Sequence, residues 1–510
     1  MAAAELSIKL VIDTKAHKVC FAEAGSDFVE FLSSLLCLPV SNIINLLTKE
    51  HMVGSIANVF DSVEKLDADH VISNESKEPY LKPMVAPGAF CPLQQLIDAQ
   101  LNTDTSFFTC EGKLNHYHGI RVACGYFTVM KGSICPKCGY AMEKAMAHVK
   151  ATGFVVGTAR YTVKDDLSIV PASSVSTISL LAQCGVKDLS TLQERTVKIG
   201  KEEALEILLA SLRTKTVLTD VFLLKKKVVV CSSSSTLHRH SPPSSSQASG
   251  CGSGGGGGGD PSGKIMAAIR LSMKLLIDTK AQKVCFAEAG SDVIEFLSCL
   301  LCLPMSTIIN MLTKERMVGS MGNVLDSVEK LDSKYVISSQ SKERFLSPTV
   351  APTVLCPLQQ LLLDAKLNVN ASFFTCEGKS TVVSYSTTKV PCGYFSVSNG
   401  AVCPVCSTQM HRAIPHVKTV GFVVGTATYT VRDDLSMTPA SSVSSVSLLA
   451  QCGVKDLSAL QERTVKIGKE EALEILLASL KSKTVLTDVF LPKRKVSCKR
   501  EASDRLTNAN

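Results

Sequence analysis

The sequence predicts an α+β fold: two tandem homologous domains, each built from β-hairpin–helix units and each carrying an inserted cysteine-rich module. Three observations carry that expectation. The chain repeats itself, each copy alternates period-2 with period-3.6 apolar patterns, and each copy holds four cysteines in the same order.

The duplication is the dominant signal. LLAQCGVKDLSTLQERTVKIGKEEALEILLASL (Leu180 to Leu212) recurs at Leu448 to Leu480 with Thr191 replaced by Ala459, and KTVLTDVFL recurs from Lys215 to Lys483. A period above 200 residues is a domain duplication, not a solenoid. The first copy spans residues 1–224 and the second 266–491, with Met266 standing where Met1 stands. Between them, residues 225–265 are rich in Ser, Pro and Gly and read as a disordered tether reaching roughly 35 Å. At that reach the copies meet at an effective concentration on the order of millimolar, which suits bivalent binding. Residues 492–510 form a basic tail.

Each copy opens as strand, turn, strand: LSIKLVI, DTKAHK, VCFAEA, with Ile8, Leu10 and Ile12 alternating. Asp27 and Glu30, matched by Asp292 and Glu295, form a D-x-x-E helix start. The apolar stretches Phe28 to Leu47 and Val293 to Leu312 are long enough to span a bilayer, but Pro39 and Pro304 break each into two amphipathic helices. SIANVFDSVEKL puts Ile56, Val59, Phe60 and Val63 on one helical face. Later, Asp165-Asp166 sit at a hairpin turn, the Ser run ASSVSTISLL caps a helix, and KEEALEILLASL places Leu205, Leu208, Leu209 and Leu212 on one stripe. Hairpin-then-helix occurs twice per copy, a pattern compatible with a β-grasp.

Several of these segments resemble a known family. The opening KLLIDTKAQKVCFAEAGSDVIEFLSCLLCLP, the mid-chain CP-x-C, GFVVGTATYTVRDDL and the closing LTDVFL are similar, in that order and in both copies, to the plant family called domain of unknown function 674. The resemblance implies a plant protein, often duplicated, and transfers no catalytic residue.

The cysteines carry the chemistry. Cys110, Cys124, Cys135 and Cys138 are spaced C-x13-C-x10-C-x2-C; Cys376, Cys392, Cys403 and Cys406 are spaced C-x15-C-x10-C-x2-C. Four thiolates containing a close pair match a structural zinc site, so each copy is expected to hold one zinc ion. FFTC and CGYFTVMKG read as short strands around it, giving zinc-ribbon-like modules at about 107–140 and 373–408. His116 and His118 have no counterpart in the second copy and are set aside. His148 and His416 recur ten residues after the last thiol and are the alternative fourth ligands should Cys110 and Cys376 point elsewhere. Redox chemistry is the lesser reading of Cys-Pro-x-Cys, because two further thiols recur beside it. Cys20, Cys37, Cys91 and Cys184 read as buried reduced thiols. Four closed thiolates exclude catalytic zinc, and no H-x-E accompanies the pair as in nucleobase deaminases.

Composition narrows the function classes. The chain has 510 residues, 20 cysteines, no Trp and 5% aromatic residues, so base stacking is not its main device. Its net charge of +8 sits in tether and tail, not in the folded copies, which disfavours a nucleic-acid surface. The N-terminus lacks a basic-then-apolar leader, so the expectation is intracellular, cytoplasmic or nuclear, with PKRKV (Pro492 to Val496) as a weak import-like signal. GGDPSGKI nearly fits a phosphate loop, but Ile265 replaces the hydroxyl residue. The leading expectation is a non-enzymatic protein-interaction or scaffold protein with structural zinc and no membrane partner. The alternatives are zinc-module nucleic-acid binding, or an enzyme site assembled from Glu23/Glu288, Arg195/Arg463, Asp220/Asp488 and His148/His416.

Overall fold

Alternation along the opening strands builds one half-buried sheet per copy. The computed structural model describes residues 6–73, 76–83, 107–113, 121, 123–128, 131–149, 154–224, 271–348, 373–383, 386–396, 399–415, 422–425 and 427–491. The tether, the phosphate-loop-like GGDPSGKI, the tail with Pro492 to Val496, Cys91, His116, His118 and His416 lie outside these residues. In chain order the first copy contributes β1 (Ser7–Asp13), β2 (Lys18–Ala24), β3 (Phe107–Thr109), β4 (Lys144–His148), β5 (Tyr161–Lys164), β6 (Ile169–Pro171) and β7 (Leu192–Lys198). The second contributes β8 (Leu271–Asp278), β9 (Lys283–Gly290), β10 (Phe373–Thr375), β11 (Lys379–Val383), β12 (Ser386–Val390), β13 (Tyr394–Phe395), β14 (Ala401–Val402), β15 (Gln409–Met410), β16 (Arg412–Ile414), β17 (Thr428–Arg432), β18 (Met437–Pro439) and β19 (Leu460–Ile467).

Two equivalent five-stranded sheets result, ordered β6-β5-β2-β1-β7 and β18-β17-β9-β8-β19. Ile8, Leu10 and Ile12 face one core, while Val11 faces outward, where Leu180 of the Ser174–Gln183 helix covers it. The α+β class stands. The β-grasp expectation is corrected: β1 pairs antiparallel with both β2 and β7, whereas a β-grasp needs its first and last strands parallel. Periodicity identifies strands but does not give the direction of a partner distant in sequence.

Pro39 and Pro304 divide the long apolar stretches as expected. Helices Ser26–Leu35 and Val40–Leu47 flank the first, and Ser291–Cys299 and Met305–Leu312 flank the second. Among the described residues no helix is long and apolar enough to cross a membrane. Glu30 does not complete a capping box. Its carboxylate instead accepts from Val155 N at 3.2 Å, and Glu295 does the same from Val423 N at 3.2 Å.

The cores are not coextensive with the copies. The Ile56–Lys65 helix leaves its own sheet and buries Ile56, Val59, Phe60 and Val63 in the core of the second, where Tyr80 joins them. Reciprocally, Met321, Val324, Leu325 and Val328 of the Met321–Lys330 helix, with Phe345, complete the first core. Each such side chain contributes about 1.5–3 kcal/mol on burial, so the exchange is a large share of either core.

Backbone groups follow the same exchange. Ile72 N donates to Phe422 O at 2.8 Å and Ile337 N to Phe154 O at 2.8 Å. Tyr80 packs on Phe422 with centroids 4.5 Å apart, and Phe345 on Phe154 at 4.6 Å. The two copies therefore form one body, whatever the tether contributes.

Close approach requires glycine at two exchange points. A Cβ on Gly54 would lie 2.1 Å from Ser479 O, and one on Gly319 would lie 2.0 Å from Ser211 O. Beside them Ser55 Oγ donates to Ser482 O at 2.6 Å and Ser320 Oγ to Thr214 O at 2.7 Å, fixing each helix start on the other copy.

Candidate metal centre

Each Cys-Pro-x-Cys pair sits on a tight turn. In the first copy Cys135 N donates to Tyr140 O at 3.0 Å and Gly139 N to Cys135 O at 2.9 Å, with Gly139 at φ +75°. The second copy makes the same turn through Cys403 N to Thr408 O at 3.0 Å and Ser407 N to Cys403 O at 2.9 Å. Ser407 takes the left-handed role at φ +58° there. Upstream, β3 delivers Cys110 and β10 delivers Cys376, and each sulfur accepts from the backbone of the next cysteine: Cys124 N and Cys392 N, both at 3.4 Å.

The turns and strands bring each quartet together. The Sγ atoms of Cys110, Cys124, Cys135 and Cys138 all lie within 4.8 Å of one another, as do those of Cys376, Cys392, Cys403 and Cys406. A tetrahedral site with Zn–S of about 2.3 Å implies sulfur separations of roughly 3.8 Å, so both quartets are of a size that could hold a metal ion. All eight thiols are free. Cys110, Cys135, Cys376 and Cys403 are buried and the other four partly so.

The electrostatics describe crowded sulfurs. Burial, then the neighbouring Cys138 and Cys110, pushes the Cys124 thiol up to about 12, and Cys392 is pushed up to about 12 by burial and its own neighbours. Cys406 moves the other way, to about 6, chiefly because the Thr408 hydroxyl bonds its sulfur. At Cys135, burial opposes ionisation, yet N–H groups of Cys138 and Lys137 bring it below the ordinary thiol value. Four thiols at this distance cannot all ionise against mutual repulsion unless a cation compensates them. The donor set thus fits a soft divalent ion.

The two modules also join one another. Phe107, Phe127, Phe373 and Phe395 form an aromatic core with Met146 and Ile414, the ring centroids of Phe107 and Phe395 being 4.4 Å apart. β13 pairs parallel with β4, and Val149 N donates to Phe395 O at 2.9 Å. Recurrence of FFTC and CGYF was the available signal for this cluster, since four Phe at matched positions suggest a shared core.

Among the described residues, Glu23 and Arg195, two of the polar residues considered for a dispersed enzyme site, do not converge. On β1, Lys9 stands opposite Glu23 and Leu10 opposite Arg195, so Glu23 and Arg195 project to opposite faces. Arg195 Nη2 donates to Phe222 O at 2.8 Å, and Asp220 accepts from Thr216 Oγ1 at 3.1 Å. His148 closes β4. Asp165-Asp166 do form the β5–β6 turn, but Asp165 has a second role absent from the sequence reading. Its carboxylate accepts from Thr219 N at 2.8 Å and Thr219 Oγ1 at 2.7 Å, anchoring the Val217–Phe222 helix; Asp433 holds Thr487 likewise at 2.8 and 2.8 Å. Burial pushes both carboxyls above the usual aspartate value.

Fold and site together define a duplicated α+β protein with exchanged cores and one four-cysteine cluster per copy. The chain belongs to the family described as "Protein of unknown function (DUF674)", whose model matches residues 2–251 and 267–510. No curated protein and no solved structure matches it.

Proposed function

We propose that the chain is a non-enzymatic protein-interaction scaffold in which Cys110, Cys124, Cys135 and Cys138, and Cys376, Cys392, Cys403 and Cys406, each hold one structural zinc ion within a ribbon-like module. The observation that carries this reading is the closure of the quartets: four sulfurs mutually within 4.8 Å, joined by no histidine or carboxylate among the described residues. Four thiolates fill a tetrahedral shell and leave no position for water or substrate. Bound zinc supplies cohesion, on the order of 10–16 kcal/mol gross, to segments whose strands are only two to five residues long.

Interaction surfaces that recur in both copies support the scaffold half of the reading. The Ser174–Gln183 helix presents Val175 and Ile178 at 81% and 69% exposure, and Leu189, in the turn that follows, is 70% exposed. The Ser442–Gln451 helix presents Val443, Val446 and Leu457 at 82%, 69% and 71%. Isolated exposed apolar residues are ordinary, but a repeated trio on one helix-and-turn unit suits a protein partner held at two points. On this reading residues 225–265 join the two copies, and the basic segment 492–510 belongs to a cytoplasmic or nuclear protein.

Proximity labelling with the intact chain tests it. V175D/I178D and V443D/V446D variants should each weaken labelling of a shared protein set, and the combined variant should abolish it. An unchanged set in the combined variant contradicts the scaffold reading.

A further inference from the structure

We propose that a cavity between the two copies binds an amphiphilic carboxylate, an apolar chain carrying one anionic head. The cavity measures about 540 Å³, within the ordinary range for small-molecule sites. Its walls come in equivalent pairs from the two copies: Val40 with Met305, Met52 with Met317, and Leu212 with Leu480. Methionine walls adapt to irregular apolar ligands better than branched side chains do. Val53 and Val318, more than half exposed, stand at the rim.

The charge at this cavity selects the ligand class. Arg213 ends the Lys201–Arg213 helix and Lys481 ends the Lys469–Lys481 helix, and both line the cavity. Arg213 donates to His51 O and Lys481 to Arg316 O, and among the described residues neither has a carboxylate partner. Nearby Arg316, by contrast, is neutralised by Glu474 at 2.8 Å. Two uncompensated cations over an apolar chamber match a ligand with an acidic end and a hydrocarbon body. A polar dianion would leave the apolar walls without a partner, and a neutral hydrocarbon would leave the cations unused.

The loops that deliver Met52 and Met317 add a second indication. Thr48 and Thr313 precede them at φ +66° and +68° with ψ +157° and +150°, a region β-branched residues rarely enter. Strain of this kind persists where surrounding structure holds it, and it gathers at ligand clamps. The same strained loop occurs on both sides of one cavity.

Calorimetric titration of the intact chain with dodecanoate and dodecanol, below their aggregation concentrations, tests the proposal. Dodecanoate should bind saturably with one equivalent per chain, and at least tenfold more tightly than dodecanol. R213Q/K481Q should erase that preference while leaving dodecanol binding unchanged. V53W/V318W, altered only at the exposed rim, should weaken both ligands at least tenfold with an unchanged unfolding temperature. Absence of saturable dodecanoate binding, equal affinity for acid and alcohol, or a preference that survives R213Q/K481Q would each overturn it.

Discussion

Pro39 and Pro304 meet as an antiparallel bridge between the two copies. Neither proline can donate, so the residues after them do: Val40 N bonds Leu303 O at 3.2 Å and Met305 N bonds Leu38 O at 3.1 Å. From this crossing each copy sends its next helices into the other's core. The duplication therefore works less as two beads on a string than as one interlocked body.

Cutting the tether should not separate the halves. With a protease site placed between residues 225 and 265, the cleaved chain should run as a single particle of unchanged mass in light scattering, because each core still needs the other copy's helices. Expressed alone, residues 1–224 should form a homodimer by the same exchange. Halves that part at micromolar concentration would refute the interlock.

Glycine at positions 54 and 319 is predicted to be irreplaceable. Gly54→Ala or Gly319→Ala drives a methyl into a backbone carbonyl of the other copy and should cost about 1–3 kcal/mol or more by denaturant unfolding. Gly157→Ala, whose added methyl meets nothing within 4 Å, is the control and should stay within about 0.5 kcal/mol.

Asp165 gives a prediction in pH. Its folded pKa lies above the ordinary 3.8, so the native state holds its proton longer than the unfolded chain. The contribution of this carboxyl to stability is therefore greatest below 3.8 and declines as pH rises through the interval up to the folded value. The stability difference between the parent chain and Asp165→Asn should shrink across that interval, measured by urea unfolding from pH 3 to 6. Asp165→Ala should cost about 1.5–3 kcal/mol at neutral pH by releasing Thr219.

Much of this was legible from the residues. The apolar face of Ile56, Val59, Phe60 and Val63 follows from period alone; which core receives it does not, because amphipathicity names a buried face and not its partner. Gly54 and Gly319 recur at equivalent positions, yet a recurrent glycine does not say which backbone approaches it. The cysteine quartets were readable because duplication filtered out His116 and His118 and retained Cys110 and Cys376. Asp165 was half legible: turn chemistry showed, while its bond to Thr219, 54 residues away, depends on tertiary packing.

Single serine substitutions separate the sulfur sites. Cys135→Ser should lower metal content by one ion per chain and leave the second quartet loaded, and Cys403→Ser should do the converse. Retention of both ions in either variant would place the metal elsewhere.

Elemental analysis of the intact, reduced chain with simultaneous thiol counting tests the central claim most directly. The account predicts two zinc ions per chain, with eight cysteines protected from alkylation until a chelator is added. Metal-free chain, or eight thiols that react freely before chelation, would contradict it.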